Sequence, residues 1–371
     1  MLPMWSRKER KLMDRTKVGV LGATGAVGQR LVRLLNGHPW FEVVALAGSE
    51  RTSGKRYGDV MRPAPAIAGN VEAALLDMQL RCPEPASFSG CAIVFSALPS
   101  DAAREIEPLL AAQGIGVVSN ASTYRMEEDV PLMVPEVNPD HLRLIEVQRR
   151  LRGWSGFLVT NPNCSTISLT LALAPLHRAF GLESVYVTTL QAISGAGFNG
   201  VSALDMVDNI VPYIGGEEDK IETEPLKLLG TLTEGQQNGS YITPPQDLRL
   251  SAQCTRVPTT DGHMEMVSVK LRTPATHQEI VDAWESWRPA PQQLGLPSAP
   301  SRPLVVRTEP NRPQPRFDRD EEGGMATVIG RLRPCPLLDW KFALLGHNLV
   351  RGAAGGVLLI AELLKSEGYV K

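Results

Sequence analysis

The sequence predicts an α/β protein: an N-terminal, Rossmann-like, doubly wound parallel sheet followed by a second domain of α+β type. Three observations predict it. Strand-like runs and helical stretches alternate through residues 17–120. A glycine-rich turn joins the first such run to the first helix. Beyond residue 164 the strands alternate in polarity and are joined by longer, irregular connections.

Each element has its own justification. KVGVLG is an apolar strand, and AVGQRLVRLLNG after it spaces its apolar residues for a helix. FEVVALAG is the next strand. CAIVFSAL (91–98) is a third, followed by a helix over DAAREIEPLLAAQG, and GIGVVSN (114–120) is a fourth. Phe157 to Thr160 is another short strand, which delivers the chain to TNPNCST at 160–166. After it, SVYVTTLQAIS (184–194), LSAQCTRVP (250–258), EMVSVKL (265–271) and ATVIGRLR (326–333) read as strands of a sheet with one solvated face. The proline-rich stretch from Arg288 to Pro315 reads as a loop. HNLVRGAAGGVLLIAELLKSEG reads as a helix able to pack back on the first domain.

Composition narrows the function classes. A chain of 371 residues exceeds what one core usually serves, so two domains are expected. The formal net charge of -2 leaves no electrostatic footprint for nucleic acid or an anionic membrane. The longest apolar stretch, GAAGGVLLIAELL, is too short to span a bilayer and contains Glu362. The basic N-terminal segment has no apolar core and does not read as a signal peptide. Cysteines at 82, 91, 164, 254 and 335 form no CxxC pair, so neither a disulfide framework nor a metal site is expected, and a cytoplasmic location is.

The turn Gly22-Ala23-Thr24-Gly25-Ala26-Val27-Gly28 follows a strand and opens a helix. Its glycines let the backbone approach a pyrophosphate, and the helix start offers free N–H groups. The second strand ends in Ser49, Glu50, Arg51, Thr52 and Ser53. Arg51 and the hydroxyls suit the 2′-phosphate of NADP, whereas Glu50 favours a bare ribose. Cys164 falls at the N-terminus of a helix over STISLTLALAPL, where unpaired N–H groups stabilise a thiolate or a developing oxyanion. A packing role for it stays open on this reading. Arg256 and, seven residues on, His263 flank a turn containing Pro258 and Asp261-Gly262, so both can face one cleft. Histidine suits acid/base work and arginine suits a carboxylate. QAISGAGFNG (191–200) is a glycine-rich loop fit to lie against a ligand, and GGEEDKIETEPLK reads as a solvated charged helix face.

Together these residues resemble aspartate-semialdehyde dehydrogenase, in its archaeal and fungal-type branch. GATGAVGQR, GSERTSGKRYGD, NASTYRMEEDVPLMVPEVN, TNPNCST, QAISGAGFNGVSALDMVDNIVPYIGGEEDKIETEPLK, RVPTTDGH and LGHNLVRGAAGG carry the resemblance over residues 17–360. It implies NADP-dependent reductive dephosphorylation of aspartyl β-phosphate to the semialdehyde. It implies Cys164 as nucleophile through a thioacyl enzyme, His263 as acid/base, and Gln191 positioning the intermediate, with Asn163 beside the nucleophile. It implies Arg256 on the substrate carboxylate, Glu217 on the amino group, Lys220 and Arg125 on the phosphate, and Ser194, Gly195 and Asn348 near the nicotinamide. It implies an NADP-binding domain over 16–163 completed by a helix at 347–371, and a catalytic and dimerisation domain over 164–346 in a homodimer or homotetramer; residues 1–15 have no counterpart and are expected to be a flexible extension. Malonyl-CoA reductase and N-acetyl-γ-glutamyl-phosphate reductase share the scaffold and the chemistry, and a non-catalytic NADP-binding sensor is the alternative of another class.

Overall fold

Two packed sheets share one long buried helix. The structure, a computed structural model, describes residues 15–61, 71–198, 200–235 and 239–370. The extension expected over 1–15 lies, apart from Arg15, outside them.

The first sheet is built from β1 (Thr16–Leu21), α1 (Ala26–Leu35), β2 (Phe41–Ala47), β3 (Ile93–Ser96), α2 (Ser100–Ala112), β4 (Gly116–Ser119), α3 (Leu144–Arg152) and β5 (Phe157–Thr160). Its strands run in the order β2-β1-β3-β4-β5, all parallel. They are short apolar runs, buried along almost their whole length, as helices on both faces require. β1 lies between β2 and β3, so the loops leaving β1 and β3 part in opposite directions and open a crevice at the carboxyl edge.

β5 ends at Asn161-Pro162-Asn163, and α4 (Cys164–Phe180) begins at once. From Ser165 to Leu176 every residue of α4 is buried, because the second sheet covers it. That sheet comes from β6 (Leu182–Gln191), β9 (Arg249–Arg256), β10 (His263–Leu271), β11 (Leu304–Arg307), β12 (Thr327–Pro334) and β13 (Trp340–Gly346), in the order β11-β12-β13-β10-β6-β9. Pairings are mixed: β11 with β12 and β6 with β9 are parallel, the others antiparallel. α5 (Glu217–Leu228) and the hairpin β7 (Thr231–Gly235) to β8 (Gly239–Thr243) lie between β6 and β9 in the chain, and α6 (His277–Glu285) packs with α4. Tyr186 and Met266, on the opposite face of the sheet, are exposed.

Three expectations are corrected. The proline-rich stretch after Arg288 holds β11, whose four residues gain strand form only by pairing with β12. β13 and the β7–β8 hairpin had no strand expectation. The C-terminal helix does not start at 347: a π-helical turn over Val350–Ala354 precedes α7 (Gly355–Ser366), which buries its apolar residues against the first sheet. Among the described residues no helix is long and apolar enough to cross a membrane.

Candidate active site

The glycine turn sits at the crevice. Gly22 has φ +83°, and a Cβ on Gly28 would lie 2.1 Å from the Gly22 carbonyl oxygen. Only glycine lets α1 seat this close to β1. Gly25 caps α1 with no side-chain hydrogen bond, and a Cβ there would meet only the Gly22 carbonyl oxygen, at 3.5 Å. The first N–H groups of α1 therefore open onto a cleft of about 780 Å³. Gly22, Thr24, Gly25, Ala26 and Val27 line it, as do Ser49, Glu50 and Arg51 from the end of β2; Ala23 and Gly28 are buried beneath. This cradle fits a pyrophosphate with a charged group at the far ribose. Ser53 departs from expectation. A helical turn over Glu50–Thr52 swings it away, and its hydroxyl bonds Cys82 Sγ at 3.0 Å.

Cys164 is the first residue of α4, as expected, but its electrostatics are not. The Asn163 side chain caps the helix: its Oδ1 accepts from the Ser165 N–H at 2.9 Å and the Thr166 N–H at 3.3 Å. Those donors are thus shared with the cap and not left free for the sulfur. Burial pushes the Cys164 thiol up to about 12, and the Glu217 carboxylate adds to the rise; the Arg125 and Arg256 charges and the Ser165 N–H oppose it. Burial thus favours the neutral thiol, against the thiolate-stabilising effect expected of the helix start.

Three strand ends meet beside it. Gln191 ends β6, Arg256 ends β9 directly across from it, and His263 begins β10. Ala192 organises the group. Its N–H donates to His263 Nδ1 at 3.0 Å, and its carbonyl accepts from Arg256 Nη1 at 2.8 Å. With Nδ1 held as an acceptor, neutral His263 carries its proton on Nε2, which has no hydrogen-bond partner among the described residues. Burial, with Arg256 nearby, lowers the imidazole to about 3, so His263 is uncharged near neutral pH. A Cβ on Gly195 would lie 2.9 Å from Arg256 Nη1 and 3.3 Å from His263 Nε2, so the glycine-rich loop closes directly over both. Asn348 accepts from the Gly262 N–H at 2.9 Å and donates to Ser194 Oγ at 2.8 Å. Ser194, Gly195 and Asn348 therefore sit with His263, while Gly197 and Phe198 reach the cofactor cleft.

The charge run is a site wall, not a solvated face. Glu217, Glu224 and Lys227 are buried along one side of α5. Glu217 Oε2 accepts from Asn163 Nδ2 at 2.8 Å and Gln191 Nε2 at 3.2 Å, while Oε1 pairs with Lys220 at 2.8 Å. These partners outweigh burial and hold its carboxyl below the usual range. Arg125 is buried, with Nη1 on Glu224 Oε1 at 2.9 Å and Nη2 on the Asn120 carbonyl at 2.8 Å.

Sequence reasoning missed Glu224, Lys227 and Gly352. Lys227 Nζ donates to the carbonyls of Arg125, Glu127 and Val130, and so holds the loop carrying Arg125. A Cβ on Gly352 would lie 2.6 Å from Cys164 Cβ. The available signal for the first two was the spacing 217, 220, 224, 227, which keeps one helix face.

Comparison with known proteins identifies the family. Residues 17–145 match the family model described as semialdehyde dehydrogenase, NAD binding domain. Residues 173–351 match that described as semialdehyde dehydrogenase, dimerisation domain. The aspartate-semialdehyde dehydrogenase of Methanothermobacter thermautotrophicus is 51% identical over 349 residues, 94% of this chain and 98% of that one. That of Archaeoglobus fulgidus is 51% identical over 361 residues, 96% of this chain and all of the other. The crystal structure of aspartate semialdehyde dehydrogenase with NADP from Candida albicans superposes with a TM-score of 0.87 at 40% identity, covering 96% of this chain and 100% of that chain. The chain belongs to the aspartate-semialdehyde dehydrogenase family.

Proposed function

We propose that this protein catalyses the NADPH-dependent reductive dephosphorylation of L-aspartyl 4-phosphate to L-aspartate 4-semialdehyde, and its reverse, with Cys164 as the nucleophile. The placement of Cys164 among Asn163, Gln191, Glu217, Arg256 and His263 carries this reading. When bound, NADP supplies or accepts the hydride. Gly22, Thr24, Gly25, Ala26, Val27 and the start of α1 would hold its pyrophosphate, and Ser49 and Arg51 its 2′-phosphate.

Cys164 Sγ bonds to the acyl carbon as the bond to the phosphate oxygen breaks; the thiol proton leaves with the departing phosphate as hydrogen phosphate, and a thioester remains on the enzyme. A thiolate both attacks and leaves readily, so one difficult reduction is divided into two easier steps. Arg256 pairs with the substrate carboxylate and Glu217 with its ammonium. That ammonium faces the Glu217 carboxylate, which after burial is the second cause of the raised thiol. Lys220 and Arg125 hold the phosphate. His263 directs Nε2–H at the oxygen on which charge develops; Gln191 and Asn163 keep Glu217 in place. His263 serves here as the donor half of an acid/base role, because its lone pair at Nδ1 is committed to Ala192.

The family model for the second half is a dimerisation domain, and we infer a homodimer or homotetramer working in the cytoplasm. The deciding experiment is phosphate-dependent reduction of NADP by aspartate semialdehyde, run on wild type and Cys164→Ala, with malonyl-CoA reduction in parallel. Wild type is expected to turn over the semialdehyde only with phosphate, and Cys164→Ala to lose turnover while still binding NADP. Activity on malonyl-CoA alone, or an active Cys164→Ala, overturns the reading.

A further inference from the structure

We propose that Glu224 is a positioning residue for this reaction, fixing the guanidinium of Arg125 and the backbone of the nucleophile turn in one register. Its carboxylate faces two ways. Oε1 accepts from Arg125 Nη1 at 2.9 Å, and Oε2 accepts from the Asn163 N–H at 2.7 Å. Glu224 is 2% exposed, so water does not compete for either oxygen. Arg125 sits on the loop after β4, and Asn163 on the turn after β5. Glu224 reaches both from α5, an element of the other half of the chain. Among the described residues no other side chain bonds both.

The two partners differ in kind, and that difference gives the link its purpose. Asn163 caps α4 and, through Nδ2, holds Glu217. Moving its backbone moves Cys164, the next residue. Arg125 has one Nη on Glu224 and the other on the Asn120 carbonyl, so its planar group is held at two points before any ligand arrives. One turn further along α5, Lys227 clamps the carbonyls of the same loop. Phosphate bound at Arg125 is therefore set at a fixed distance from the sulfur that must reach its acyl carbon. Positioning of this kind acts on the reacting geometry, where a displacement of about 1 Å costs on the order of a hundredfold in rate. Only a carboxylate serves both donors. A glutamine in its place offers one oxygen and turns an N–H₂ toward the other donor.

The proposal rests on Arg125 being a phosphate group's partner, and the test separates the two. Initial rates of aspartate semialdehyde oxidation are measured with phosphate and semialdehyde varied independently, for wild type, Arg125→Gln and Glu224→Gln. Thermal melts with and without phosphate, and NADP titrations, accompany them. In Glu224→Gln the KM for phosphate is expected to rise by about tenfold or more, kcat to fall by a similar factor, and the semialdehyde KM to stay within about twofold. The upward shift in melting temperature given by phosphate should be lost, with NADP affinity kept. A role in folding alone would lower the melting temperature and leave both KM values as they are. Should Glu224→Gln not fold, Glu224→Asp, one methylene short of spanning both partners, is expected to show the same selective rise. Unchanged phosphate KM in a folded Glu224 variant overturns the proposal, provided Arg125→Gln raises it. If Arg125→Gln leaves it unchanged too, the phosphate assignment of Arg125 fails instead.

Discussion

A thiol at the first residue of a helix ordinarily gains acidity from the unpaired N–H groups there. Cys164 lies in that position, yet Asn163 takes up two of those groups and burial acts against the charge. The residue names were readable from sequence. The balance was not, since it depends on Glu217 and on the sheet that covers α4. One consequence can be measured on the ligand-free enzyme. Alkylation of Cys164 by iodoacetamide, followed by mass spectrometry of its peptide, is expected to rise about tenfold per pH unit from 7 to beyond 9. An ordinary cysteine levels off above its pKa of roughly 8.5. A plateau below pH 8 at Cys164 would mean that burial does not govern the sulfur. His263, lowered to about 3, is already uncharged across this range and adds no inflection.

The strands and helices of the first sheet were legible because each buried strand is a short apolar run between turn residues. Arg256 and His263 were legible because a turn marked by Pro258 and Asp261-Gly262 separates them. β11 was not, since its strand form comes from a partner 23 residues away, Leu304 against Thr327. Glu224 was not, since a glutamate in a charged run reads as solvated until the neighbouring element covers it. α2 holds a similar hidden group. Glu107 is fully buried against β4, with Oε1 accepting from Ser119 Oγ at 2.6 Å and Oε2 without a hydrogen bond among the described residues. Burial raises its carboxyl to about 7 from an ordinary 4.5. The folded state then holds a proton that the unfolded chain has released, so the stability it contributes is full below pH 4.5 and is lost as pH rises through 7. Over that window the loss is on the order of 3 kcal/mol. Glu107→Gln should lack it. Urea melts at pH 5 and pH 8 are expected to show the variant gaining on wild type at the higher pH. Equal differences at both values would place the proton elsewhere.

At the scale of the molecule, the site exists only where the halves meet. The cofactor cradle belongs to the first sheet, the strand ends to the second, and the nucleophile to the helix between them. The C-terminal segment ties them together. Asn161 Nδ2 donates to the Gly352 carbonyl at 3.2 Å, and buried Arg351 pairs with Glu136 at 2.6 Å. Gly352→Ala would put a methyl 2.6 Å from Cys164 Cβ. Its expected signature is a fall in kcat of about a hundredfold with a stability loss of only about 1–3 kcal/mol, read from kinetics and a thermal melt on one preparation. Near-normal kcat would show that the turn can yield. The same segment has a bearing on how the protein is made. α7 supplies Val357, Leu358, Ile360, Ala361 and Leu364 to the apolar core of the first sheet, so that sheet stays open until α7 itself has been translated. During synthesis that sheet emerges with an uncovered greasy flank, a stage at which chaperones would find a handle, and any premature stop codon upstream of Gly355 leaves the flank bare for good.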